Sequence, residues 1–170
     1  MVISVIILIA SFFLDGILTN FLPYIVGDLS LFTPMITIVA LVLIYPFFVK
    51  KLKNYFILCF VTGFCYDLMY TNLLFYNGML FLVLGFITMA LYRYIRTSWI
   101  SIILYVVVTI VSYECLNAFI IFSFQLVPIT FSKLLYKILH SLLFNIIYAE
   151  IIYFIIWLLP NKYKKIAINS

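Results

Sequence analysis

Charge is what this chain has least of. Of its 170 residues, 9% are charged, against 68% apolar and 20% aromatic, and the mean hydropathy is +1.32. Soluble domains carry roughly 25% charged residues, so the composition is that of an all-α integral membrane protein. A membrane span takes about 20 apolar residues at about 1.5 Å each, so the length admits about six spans and leaves no room for a soluble domain. Any site must lie within the membrane or at its two surfaces.

The other shortages exclude chemistry. There is a single histidine, His140, so no His-Glu-x-x-His zinc site can form, and no paired Glu-Glu or Ser/His arrangement is present. His140 reads as an interfacial polar residue, not as a general base. Cys59, Cys65 and Cys115 sit inside apolar runs with no Cys-x-x-Cys spacing, which makes them small core residues. No catalytic group, metal site or cofactor is expected. Val2 to Leu14 is apolar but lacks a basic leader and a small-residue cleavage site before Asp15, so it reads as an uncleaved first span.

What charge there is stands in short basic clusters at the ends of apolar runs: Lys50, Lys51 and Lys53, then Arg93 and Arg96, then Lys162, Lys164 and Lys165. Despite a net charge of +5, that placement argues for anionic lipid headgroups and against nucleic acid. The expected spans are residues 2–22, 31–49, 54–70, 76–92, 97–125 and 141–159, with an amphipathic segment over 128–140. Asp15-Gly16 interrupts the first and Pro23 ends it; Pro34 and Pro46 fall in the first and last turns of the second. The fifth run is too long for one straight span, so it tilts or starts with an interfacial turn at Trp99. Lys133, Tyr136, Lys137 and His140 share one helical face, as either an interfacial helix or the wet first turns of the sixth span. With all three basic clusters cytoplasmic, six spans place both termini inside and leave Lys133 and Lys137 outside. A five-span arrangement is the alternative, because the first span has no basic flank of its own.

The stretch Thr62 to Phe81 holds an acid, amides, hydroxyls and two glycines inside apolar sequence. Around the Thr71-Asn72 break it reads as two antiparallel membrane helices. Gly63 and Asp67 are four apart on one face. A carboxylate facing lipid costs at least about 2.5–3.5 kcal/mol, so Asp67 should face the protein, water or headgroups, and Gly63 lets another helix approach. Gly78 and Gly85 fall on one face of the next span, a packing seam within the bundle or toward a partner helix. The sequence DGILTNFL from Asp15 recurs as DLMYTNLL from Asp67, sharing Asp, Thr, Asn and Leu at an offset of 52 residues. Such an echo fits either a parallel two-helix repeat or two similar solutions to the same turn. A third hairpin carries Glu114 and Asn117 in a comparable place without the Thr-Asn pair. If the repeat is real, Asp15, Asp67 and Glu114 come to similar depth in the outer half of the bundle. Glu150, near the middle of the sixth expected span, has to be protonated, paired or in a polar cavity, with Asn145 and Lys137 as candidate neighbours.

The pattern Gly63-x-x-Tyr66-Asp67-Leu68, Thr71, Asn77-Gly78 and Gly85 resembles the bacterial rod shape-determining protein family MreD, and the hairpin is the part that carries the resemblance. The resemblance implies a non-enzymatic assembly protein of the peptidoglycan elongation complex in the bacterial cytoplasmic membrane. Its implied partners are an MreC-like single-span protein and wall-synthesis enzymes. The positions carried over are Gly63, Tyr66, Asp67 and Asn77; Asp15, Asn72, Gly78, Gly85, Glu114 and Glu150 join them as polar or close-packing candidates. Size and short loops also resemble the six-span solute-binding subunits of vitamin transporters. Against that stands the missing small-x-x-x-small pair on the first span, where Ala10 is followed by Leu14.

Overall fold

The computed structural model describes Val2–Val26, Pro34–Thr71, Leu73–Ile95, Ser98–Phe124 and Phe131–Leu158; the statements below concern these residues. All regular structure in them is helical: α1 (Val2–Val26), α2 (Ile36–Ile44), α3 (Leu52–Tyr66), α4 (Tyr76–Tyr94), α5 (Trp99–Ser123) and α6 (Phe131–Leu158). A 3-10 segment, Tyr45–Lys51, joins α2 to α3, and a π turn, Asp67–Thr71, closes α3.

The bundle is organised around α2. Its sequence, ITIVALVLI, has no charged or strongly polar face, so no side of it needs water and it can stand at the centre. All nine residues are buried, with α1, α4, α5 and α6 packed against it. From α3, the Tyr55 hydroxyl reaches the Leu41 carbonyl at 3.2 Å. The expected span over 31–49 is therefore a short central helix followed by a tighter segment. Pro46 sits at the start of that segment, where its missing N–H breaks the regular ladder and the winding changes.

Four helices are long and apolar enough to cross a membrane, through Ile3–Asn20, Tyr76–Tyr94, Trp99–Ser123 and Leu134–Leu158. α2 and α3, at 9 and 15 residues, are shorter than that. Two boundaries differ from the sequence expectation. α1 runs unbroken through Asp15-Gly16 and past Pro23 to Val26. A proline in the last turn removes one hydrogen bond, which is less than the helix gains by continuing. The run from residue 97 is one helix of 25 residues, α5, opened by the Ser98 side chain accepting from the Ser101 amide at 3.2 Å. The segment from Phe131 to His140 forms the first turns of α6.

α3 packs on α4 backbone to backbone. A Cβ added to Gly63 would strike the Asn77 carbonyl oxygen, and would lie 2.7 Å from the Asn77 carbonyl carbon and 2.8 Å from the Gly78 Cα. These are backbone atoms that cannot swing aside, so only glycine permits the contact. Gly78 and Gly85 face the same way: added Cβ atoms would meet the Phe60 ring at 3.4 Å and the Cys59 sulfur at 3.2 Å. The glycine seam of α4 thus points into the bundle, toward α3.

Candidate functional site

Helices that start inside a membrane protein expose N–H groups that no preceding turn satisfies. The residues in the N-cap positions of α2 and α4 are Met35 and Phe75, and neither side chain caps its helix. Phe75 also has a positive φ of 66°, in the left-handed region that side chains other than glycine and asparagine seldom occupy. The acceptors come from other helices, chiefly the preceding one. Asp15 on α1 accepts from the Ile36 and Thr37 amides at 3.1 and 3.0 Å, and Asn145 on α6 accepts from the Met35 amide at 2.9 Å. Asp67 accepts from the Asn77 and Gly78 amides at 3.0 and 3.2 Å, from the Asn77 side-chain amide at 2.8 Å, and from the Thr71 hydroxyl at 3.0 Å. Both carboxylates are 1% exposed. Each sits on the positive end of a helix dipole, which offsets the cost of burying a charge.

The two copies of the sequence echo therefore do one job: an acid on the outgoing helix caps the returning one. They differ in detail. Asp15 serves the first two amides of α2 and Asp67 the second and third of α4, while Thr19 bonds its own backbone at Asp15 and Thr71 bonds the Asp67 side chain. In the third hairpin Glu114, 2% exposed, forms an ion pair with Lys137 of α6 at 2.9 Å. Lys137, expected on the outer wet face, is turned inward because the buried carboxylate on α5 needs a counter-charge.

Further bonds tie these groups into one layer. The Tyr113 hydroxyl donates to Asn77 at 3.0 Å, and the Tyr76 hydroxyl donates to Asn117. Ser11 and the Tyr148 hydroxyl are 2.7 Å apart, joining α1 to α6, and the Tyr70 hydroxyl reaches the Phe12 carbonyl at 3.2 Å, joining α3 to α1. Tyr66, carried in the hairpin motif, packs edge-on against Phe12 and Tyr70, with ring centroids 6.3 and 4.8 Å apart. α1, α3 with its π turn, α4, α5 and α6 contribute side chains, and α2 contributes backbone amides. Beside the layer lies a cavity of about 320 Å³, lined by Asp15, Tyr66, Phe81, Tyr113, Asn117 and Lys137 among others.

Of the residues singled out in the sequence, the structure joins Gly63, Asp67, Asn77 and Gly78 into one unit, with Asp15, Tyr66 and Glu114 in the same layer. Asn72 lies outside the described residues, as do Arg96 and the basic cluster at 162–165. Gly85 is a packing residue toward α3. Glu150 is elsewhere, and its expected neighbours are engaged otherwise: Asn145 caps α2 and Lys137 holds Glu114. Instead the Trp99 indole N–H donates to Glu150. Because α6 begins at Phe131 and Trp99 opens α5, Glu150 stands level with the start of α5 and not at mid-helix. The sequence reading passed over the tyrosines, Tyr70, Tyr76, Tyr113 and Tyr148, whose hydroxyls knit the layer. A signal was present, since Tyr113 and Asn117 are four apart and share a face with each other beside Glu114.

Among the described residues no group of three or more His, Cys, Asp or Glu side chains is placed to hold a metal ion. No protein-family model, no curated protein and no solved structure matches the chain.

Proposed function

We propose that this chain is a non-enzymatic membrane assembly protein of the bacterial cell-shape and peptidoglycan elongation machinery, crossing the cytoplasmic membrane six times with both termini inside. Its part is to dock a partner transmembrane helix, such as that of an MreC-like protein, and through it the wall-synthesis enzymes. The MreD-like hairpin supports this reading: Gly63, Asp67, Asn77 and Gly78 work as one rigid fastening between α3 and α4. The observation that carries the docking role is a shallow open groove between α4 and α5, of about 490 Å³. Val83, Ile87, Leu116 and Phe119 wall it, and the small side chains Ser112 and Cys115 let a helix come close. Six crossings require α2 with its 3-10 segment, and α3 with its π turn, each to serve as a span despite their short α-helical cores.

Affinity purification of the tagged protein from its native membrane in mild detergent tests the reading. Recovery of an MreC-like protein, reduced by Ser112→Phe in the groove, is the expected outcome. A second reading, a six-span solute-binding subunit of a transporter, is favoured by the cavity beside the polar layer. Recovery of paired ATPases with a membrane coupling subunit would select it. For topology, cysteines introduced at Lys51 and Arg93 are expected to label from the cytoplasmic side, and external labelling of either breaks the six-span arrangement.

A further inference from the structure

Most polar atoms of the layer are consumed in holding helices together, but two groups that border the cavity, the Asn117 amide and the Lys137 ammonium, keep N–H donors to spare. The Asp15 carboxylate is occupied by the first amides of α2. Asn117 uses its carbonyl oxygen to accept from Tyr76, which leaves its amide N–H groups over. The Lys137 ammonium gives one of its three N–H groups to Glu114. That bond also holds the ammonium in the cavity wall and keeps it from reaching out to the headgroups. Around these donors stand the rings of Tyr66, Phe81 and Tyr113, and at 320 Å³ the space falls at the lower end of small-molecule pockets. Although the layer holds three acids, Asp15 and Asp67 are turned onto helix N-termini. Glu114, which meets Lys137 with one oxygen and leaves the other without a hydrogen bond among the described residues, is not among the cavity-lining residues, so the groups left over toward the cavity are donors.

We infer that the cavity is a binding site for a small monocarboxylic acid with a flat or cyclic apolar body. The carboxylate sits between Lys137 and Asn117, and the body lies on the Tyr66, Phe81 and Tyr113 rings. A charge-assisted bond supplies the anchor, and the aromatic walls supply shape. This inference is independent of the assembly reading: a protein that docks a partner helix can also carry a ligand site in its core, and either can fail alone.

The test uses the full chain purified in detergent and three probes of one shape and different charge: benzoate, benzamide and benzylamine. Ligand-observed NMR and thermal unfolding read the binding. Benzoate is expected to bind saturably and tightest of the three, and Lys137→Met to weaken it by about tenfold, the loss of one charge-assisted bond. Since Lys137→Met also strips Glu114 of its partner, Thr19→Trp provides a second variant. Thr19 is an exposed residue of the cavity lining whose hydroxyl bonds only its own helix, so the fold tolerates the change while the indole blocks the space. Benzoate binding is expected to disappear in it. Benzylamine binding tighter than benzoate overturns the ligand class. Benzoate uptake that does not saturate, or that persists in Thr19→Trp, overturns the site.

Discussion

The first two hairpins and the third answer the same physical demand with different chemistry. In α1–α2 and α3–α4 a buried aspartate caps the returning helix directly, so its charge is met by backbone amides and a helix dipole. In α5–α6 the buried acid is a glutamate met by a lysine side chain. Backbone amides cannot move away, whereas a lysine can. The difference teaches that the aspartates are parts of the helix geometry, and that the Glu114–Lys137 pair is an added contact which could be replaced without refolding the bundle.

Breaking each kind of contact tests that distinction, with thermal unfolding in detergent as the readout. The largest loss is expected from Lys137→Met, which leaves Glu114 uncompensated, about 3–5 kcal/mol. Adding Glu114→Met should restore most of it, since two apolar groups replace the pair. If the double variant stays as unstable as the single one, the pair is not a replaceable contact.

Next comes Asp67→Asn, at about 1–3 kcal/mol for each backbone donor left unpaired. Asp15→Asn is expected to cost less than Asp67→Asn, because Asp15 accepts two bonds from α2 and Asp67 accepts four in all. Unlike the ion pair, neither should be rescued by an apolar partner change, as the amides remain. Equal losses would mean that the side-chain bonds to Asp67 add nothing beyond the cap.

Gly63→Ala is expected to cost about 1–3 kcal/mol by forcing the α3 and α4 backbones apart, with Gly85→Ala costing less because its neighbours are side chains. The smallest effect belongs to Glu150→Gln, under about 1 kcal/mol, since the amide oxygen still accepts from Trp99 and no charged partner is lost. A loss as large as that of Lys137→Met would place Glu150 in a second charged network.

Much of this architecture was legible in the residues. Apolar run lengths determined that the chain is helical and membrane-embedded, because hydrocarbon leaves backbone polar groups no other partner. Gly63 and Asp67 at a spacing of four marked the α3–α4 fastening, and the echo at Asp15 marked its counterpart, because a small residue and an acid inside a span each need a neighbour close by. The tertiary structure alone decided which neighbour. That α2 is the central helix, that Lys137 turns inward to Glu114, that Glu150 meets Trp99, and that the tyrosine hydroxyls close the layer all depend on residues far apart in the chain. Local periodicity reports which face of a helix is polar; it cannot report which helix that face will meet, since the partner is set by how all six pack at once.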